Sequence, residues 1–135
     1  KLFLSGAHWA TDTVGEAGEN EAGVAFLADV LGVRWRTDHA ARTGALAATS
    51  GGLLPEGTAL RYVHQRGPNA NAIEAPDGIE PATSEGATVL RYAENQIGAG
   101  VVAGPVIALG VPLESIRQPG ARAALMQAVL DALAD

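Results

Sequence analysis

Two histidines and two aspartates are the side chains of this sequence best suited to contact a ligand. His8 and Asp12 follow the first predicted strand, and Asp38 and His39 follow the second. Loops at the carboxyl ends of two strands can bring them together, and open α/β sheets bind ligands there. Such a set can hold zinc or another divalent ion, but its spacing matches no known metal pattern. We therefore predict ligand contact, with no metal and no cofactor; surface histidines beside a helix-flanking aspartate are the alternative.

Both tryptophans are candidates for stacking on a sugar ring. Trp9 lies in a predicted loop at the same edge, so it joins the ligand-binding candidates. Trp35 lies in a predicted strand and is expected to be a core residue. The predicted binding residues are His8, Trp9, Asp12, Asp38 and His39.

Other features that resemble chemical motifs have plainer explanations. Ser5 and Ser115 lack the Gly-x-Ser-x-Gly elbow and the paired base of a nucleophilic serine, and Ser115 is expected to cap the turn before Ile116. The acidic cluster within residues 16–21 lacks the spacing of a calcium loop and fits a solvated loop before a helix. Residues 98–104 are Gly-rich but predict a turn and a strand, because a dinucleotide site requires a helix there.

Hydrophobic periodicity predicts the elements that position these residues. Residues 7–20 show no period and predict a loop, and residues 66–81 are rich in turn residues and predict another. Residues 21–31 have one apolar helical face that Gly32 ends. A final helix begins at Pro119. The predicted strands are residues 2–5, 33–36, 43–50, 60–64, 87–92, 100–103 and 106–109. This order indicates an α/β fold with a mixed sheet.

The composition excludes several classes of function. The length of 135 residues fits one domain over residues 1–135. The absence of cysteine removes disulfides, thiolate metal sites and cysteine nucleophiles. The formal charge of −6, with scattered Lys and Arg, argues against a nucleic-acid partner. No apolar stretch is long enough to span a bilayer, so we predict no membrane span.

Three passages carry a resemblance to a known family. Residues 1–7 read KLFLSGA, residues 31–38 read LGVRWRTD, and residues 106–116 read VIALGVPLESI before a helix. The chain resembles the class I glutamine amidotransferase-like domains appended to large secreted bacterial proteins. Such domains occur beside Golvesin-type modules, in proteins labelled xanthan lyase or N-acetylmuramoyl-L-alanine amidase. The resemblance spans most of the chain and implies a flavodoxin-like three-layer sandwich with a mixed, mainly parallel sheet.

The chain departs from this family at the residues that carry its chemistry. Active members have a cysteine nucleophile in the sharp turn after the first strand, where residues 6–9 here read GAHW. They also have His-Pro-Glu after the final strand, where residues 110–114 here read GVPLE. Glu114 stands near the former triad acid, and we expect its carboxylate to accept hydrogen bonds and pin that turn. Because nucleophile and base are both missing, we predict no catalytic residue.

The resemblance also predicts what surrounds the first strand. In the resembling domains a strand and a helix precede the equivalent of Lys1. We therefore expect Leu2–Ser5 to lie inside the sheet, and the chain to be an N-terminally incomplete portion of its domain. Such a fragment would expose a strand edge and apolar surface, which favours pairing with another chain or segment.

The loss of nucleophile and base predicts a non-catalytic accessory or binding module, and the resemblance implies that it belongs to a larger bacterial protein that acts on cell wall or polysaccharide. The expected partners are other domains or chains of that protein, and carbohydrate or peptidoglycan. The expected location is secreted or periplasmic, with the cytoplasm as the alternative. The rival function is an amidase-type hydrolase that uses a metal, or residues outside this segment, together with His8, Asp38, His39 or Glu114.

Overall fold

The computed structural model describes residues 1–68 and 72–135, so residues 69–71 of the predicted loop 66–81 lie outside it. The described strands are β1 (Leu2–Ser5), β2 (Val33–Thr37), β3 (Ala45–Ala48), β4 (Ala59–Arg61), β5 (Gly78–Pro81), β6 (Ala87–Tyr92), β7 (Gly98–Ala103) and β8 (Val106–Leu109). The described helices are α1 (Trp9–Val14), α2 (Glu21–Phe26) with a π-helical turn (Leu27–Leu31) after it, a 3-10 turn (Leu113–Ser115) and α3 (Pro119–Ala134). None of these helices has the length and apolar character to cross a membrane.

The main sheet has six strands in the order β1-β8-β7-β6-β3-β4 and curls into a half-barrel. Within the described residues β1 and β8 are its one parallel pair, and the other neighbours are antiparallel. The prediction of a mainly parallel, flavodoxin-like three-layer sandwich is therefore wrong. The connections give the reason, because only Gly104 and Pro105 join β7 to β8, and residues 93–97 join β6 to β7. A parallel crossover needs about a dozen residues or more, so these strands form hairpins.

β2 and β5 form a separate antiparallel pair, in which Trp35 lies opposite Ile79. β5 falls within the predicted loop 66–81 because its four residues carry the turn signals Gly78 and Pro81. β1 and β2 therefore lie in different sheets, whereas the predicted site placed their carboxyl ends at the edge of one open α/β sheet. A shared sheet edge therefore does not bring together the residues that follow these two strands.

β1 is an edge strand of the six-stranded sheet in the part of the chain that the structure describes. It pairs with β8 along one side, from Leu2 opposite Val106 to Ser5 opposite Leu109. The expectation that this strand lies inside the sheet is therefore wrong. Leu2 is also 43 % exposed, so the edge carries apolar surface.

Two clusters of buried side chains pack on opposite faces of the main sheet. Successive residues of a strand point to opposite faces, and Ala108 and Leu109 of β8 belong to different clusters. The larger cluster includes Leu125 of α3, and the smaller includes Val14 of α1 and Leu27 after α2. α3 therefore covers one face, and α1 and α2 cover the other.

The two periodic helices agree with the sequence pattern. Residues 21–31 are helical throughout, although the helix changes from α to π at Leu27. Gly32 ends it with a φ of 70°, a left-handed conformation that glycine adopts at low cost. α3 begins with Pro119 at its first turn, as predicted.

Candidate functional site

A sharp elbow joins β1 to α1 and carries the first candidate residue. His8 lies immediately before α1 and has a φ of 65°. This left-handed conformation is unfavourable for a residue with a Cβ, and it persists where surrounding contacts hold it. α1 lies inside the predicted loop 7–20, because a helix of six residues is too short to show a hydrophobic period.

Both ring nitrogens of His8 face carboxylates. Nδ1 lies 2.9 Å from Oδ1 of Asp12, one turn further along α1, and Nε2 lies 3.3 Å from Oδ2 of Asp38, just after β2. Burial acts to lower the pKa of His8, but the Asp12 hydrogen bond and the charges of Asp38 and Asp12 together raise it above 6.5. An imidazole donates from both nitrogens only when it is protonated. The elbow therefore favours an imidazolium, which has no lone pair for nucleophilic attack or proton abstraction.

Asp38 also binds the second histidine of the cluster. Its Oδ2 lies 2.8 Å from Nδ1 of His39, and its Oδ1 accepts a hydrogen bond from the His39 backbone N–H at 2.7 Å. The rings of His8 and His39 stand edge to face, with centroids 6.5 Å apart. Nε2 of His39 has no protein partner among the described residues, and this side chain is 62 % exposed. The cluster thus presents one imidazole nitrogen to solvent.

A buried aspartate outside the predicted set fixes the start of α1. Oδ2 of Asp77 accepts the N–H of Ala10 at 2.9 Å, and Oδ1 accepts the N–H and the hydroxyl of Thr11 at 3.1 and 2.7 Å. Burial raises the pKa of Asp77 and outweighs the lowering effect of these hydrogen bonds and of the His8 charge. The Thr11 hydroxyl also accepts the indole N–H of Trp35 at 2.9 Å, which ties α1 to β2. The sequence does not single out Asp77, because its Pro-Asp-Gly context indicates an ordinary turn.

No protein-family model matches this chain. Curated proteins and solved structures likewise gave no significant match. The amidotransferase resemblance therefore stays a prediction, and the fold that it implies is not the fold observed.

The structure brings four of the five predicted binding residues into one cluster. The four are His8, Asp12, Asp38 and His39. Trp9 begins α1 instead of lying in a loop, and its indole N–H donates to the carbonyl of Leu109 at 2.9 Å. Trp9 and Trp35 are both half-buried against the smaller core cluster, which agrees with the core role expected of Trp35. In residues 1–68 and 72–135, no group of three or more metal-ligating side chains is arranged to hold an ion.

The turn after β8 is held by serines and not by Glu114. The Ser115 hydroxyl is largely buried and donates to the carbonyl of Pro112 at 2.6 Å, so it bonds back within its own turn and does not accept a backbone N–H as the expected cap would. The Ser5 hydroxyl oxygen accepts the N–H of Leu113 at 3.3 Å. The Glu114 side chain is exposed and makes no hydrogen bond to the described residues. The expectation that its carboxylate pins this turn is wrong, because this carboxylate lies in solvent without a hydrogen-bond partner among the described residues.

The acidic loop and the Gly-rich segment have the plain roles expected of them. The acidic residues of 16–21 are exposed, and Glu19 accepts the N–H of Ala17 at 2.9 Å within its own loop. Gly98–Ala103 forms β7, between two antiparallel neighbours, with no helix after it. Neither segment has the geometry of an ion or nucleotide site.

Proposed function

We propose that this chain is a non-catalytic binding module. The observation that carries the proposal is the engagement of both His8 nitrogens by carboxylates at the elbow. A histidine acts as nucleophile or base through a ring nitrogen with a free lone pair, and an imidazolium held between two carboxylates has none. The Ser5 hydroxyl at the end of β1 accepts the N–H of Leu113 and has no base bonded to it among the described residues, and the chain has no cysteine. The role of the elbow is therefore structural: His8 links α1 to the residues that follow β2.

The exposed rim of the His8 cluster suits a hydroxyl-rich ligand such as carbohydrate or peptidoglycan. The Asp12 side chain is 75 % exposed and that of His39 is 62 % exposed. A carboxylate accepts hydrogen bonds from sugar hydroxyls, and an imidazole nitrogen donates or accepts them. Membership in a larger, secreted bacterial protein is a further part of the proposal, and the amidotransferase resemblance alone supports it.

Co-sedimentation with insoluble peptidoglycan and with insoluble polysaccharides tests this binding. We expect Asp12→Asn combined with His39→Gln to weaken binding roughly thirtyfold, because each change removes a rim hydrogen bond worth about 1 kcal/mol. Asp131→Asn, an exposed change on α3, is the matched control and should bind like the wild type. Equal binding by the double variant, or no binding by the wild type, would contradict the proposal. The protein should also release no ammonia from glutamine above a heat-killed control.

A hydrolase is the second candidate, and one observation favours it. Asp38 contacts Nδ1 of His39 and leaves Nε2 unoccupied, which is how a carboxylate orients a catalytic base. In that case the protein would hydrolyse an activated ester faster than a heat-denatured sample. His39→Gln would abolish this activity, and His64→Gln, outside the cluster, would not. Equal rates in all four samples exclude the hydrolase.

A further inference from the structure

An apolar cavity of about 330 Å³ lies between α2, β2 and the loop after α1. Its walls include Val14, Val24, Leu27, Trp35 and Ala82, with Arg34 at the rim. Small-molecule sites typically measure about 300–1,000 Å³ and combine apolar walls with a few polar groups. The size and composition of this cavity therefore fit a small, mostly apolar ligand.

Trp35 turns its hydrocarbon edge toward this cavity. Its indole N–H is already bound to the Thr11 hydroxyl at 2.9 Å, so the polar edge of the ring is satisfied elsewhere. The opposite edge faces Gly18, where an added Cβ would lie 3.2 Å from Cζ3 of the ring. Gly18 has a φ of 68°, which also disfavours any other residue there. Leu27 begins the π-helical turn, and such turns are frequent at functional sites.

Among the residues that the structure describes, Arg34 is the one charged residue in the lining of this cavity. Its Nη2 donates to Oε2 of Glu80 at 2.7 Å, and Nη1 of Arg36 donates to Oε1 at 3.1 Å. The Arg34 hydrogen bond lowers the pKa of Glu80, which keeps this carboxyl ionised. The group of Arg34, Arg36 and Glu80 therefore has a net charge of +1. Arg34 is 65 % exposed and has further N–H groups that can bind an anion.

We propose that this cavity binds a small amphipathic monocarboxylate. Its hydrocarbon part would lie between Trp35 and Leu27, where burial of apolar surface favours binding. Its carboxylate would accept charge-assisted hydrogen bonds from Arg34. The cavity and the rim of the His8 cluster share no lining residue, so this site stands independently of the carbohydrate proposal.

Calorimetric titration with sodium octanoate, octanol and octylamine tests the proposal. The wild type should bind octanoate most tightly and octylamine most weakly. Arg34→Gln should lower the affinity for octanoate at least tenfold and change the affinity for octanol by no more than about twofold. Arg36→Gln is the matched control. It also removes a guanidinium charge that is bound to Glu80, but Arg36 is not part of the cavity lining. It should change octanoate affinity less than threefold.

Blocking the cavity provides a second, independent readout. Val24 is 43 % exposed at the cavity wall, so Val24→Trp can fill the cavity from the surface and should abolish binding of octanoate and octanol alike. Ala28→Leu serves the same purpose if Val24→Trp does not fold. In amide NMR spectra, octanoate should shift the Trp35 indole N–H signal of the wild type. Tighter binding of octylamine, equal losses in the two arginine variants, or no binding of octanoate would overturn the proposal.

Discussion

The carboxylate of Asp77 accepts two hydrogen bonds from Thr11, a residue 66 positions earlier in the chain. One comes from the backbone N–H and the other from the hydroxyl, and Ala10 adds a third hydrogen bond. A helix of six residues has little stability of its own. This distant, buried cap therefore holds α1 and the elbow before it.

We expect Asp77→Ala to lower the free energy of unfolding by about 3 kcal/mol. Three buried donors would lose their acceptor, and each unsatisfied group costs about 1–3 kcal/mol. Asp77→Asn keeps one acceptor oxygen and should cost about half as much. Urea denaturation measures both changes. Glu114→Ala, an exposed carboxylate with no hydrogen bond to the described residues, is the control and should stay within about 0.5 kcal/mol of the wild type. Equal urea midpoints for Asp77→Ala and Glu114→Ala would show that the cap is unimportant.

The raised pKa of His8 predicts a pH dependence of stability. The folded pKa lies above the unfolded value of 6.5, so the folded protein binds the proton more tightly. The resulting stabilisation is complete below pH 6.5 and is lost as pH rises through the folded pKa. NMR titration of the His8 ring should give a pKa above 6.5 in the wild type and lower values in Asp12→Asn and in Asp38→Asn. Asp131→Asn should leave the His8 pKa unchanged, and a wild-type value below 6.5 would contradict the assigned contacts.

Two buried tyrosines should differ in how much stability they lose when their hydroxyl groups are removed. Tyr92 donates to the carbonyl of Asp77 at 2.7 Å, whereas the buried Tyr62 hydroxyl has no hydrogen-bond partner among the described residues. Burial and the charge of Glu94 raise the pKa of Tyr62 to about 12, against a weak opposing effect of the Gly44 backbone. The contact of that backbone group with the hydroxyl does not meet the geometry of a hydrogen bond.

Tyr92→Phe should therefore destabilise the protein by about 1 kcal/mol, the usual cost of a lost hydrogen bond. Tyr62→Phe should leave stability unchanged or slightly raise it, because it removes an unsatisfied buried hydroxyl and keeps the edge-to-face contact of the two rings. Thermal unfolding of the two variants checks this order. A larger loss for Tyr62→Phe would reveal a hydrogen bond absent from the structure.

Local pattern predicted much of the secondary structure, but not the direction of the strands. The final helix was visible as an apolar stripe at helical spacing, residues 106–109 as a continuous apolar run, and residues 87–92 by their β-branched and aromatic side chains. The parallel sheet came from the amidotransferase resemblance, although the two-residue link at Gly104 and Pro105 already requires a hairpin. Loop length was the better guide to topology here.

The sequence predicted which residues form the candidate site, but not which contacts bring them together. His8 and Asp38 do meet, but β1 and β2 belong to different sheets, so no shared sheet edge brings them together. Contacts between distant residues, above all the cap from Asp77 to Thr11 and the bond from Trp35 to Thr11, set this geometry. A single sequence carries no local signal of such pairings, because each partner looks ordinary in its own segment.

Comparing two substitutions of His8 isolates the energetic cost of its left-handed backbone, because both substitutions remove the same side-chain contacts. His8→Ala and His8→Gly both remove the contacts with Asp12 and Asp38, so their difference reports the backbone at a φ of 65°. A Cβ in this conformation costs about 1–2 kcal/mol, partly offset by the greater entropy of unfolded glycine. His8→Gly should therefore be more stable than His8→Ala by about 1 kcal/mol in urea denaturation. In the exposed α3 position Ala124, replacement by Gly should instead cost about 0.5–1 kcal/mol. If alanine is the more stable residue at both positions, the elbow does not have the conformation described.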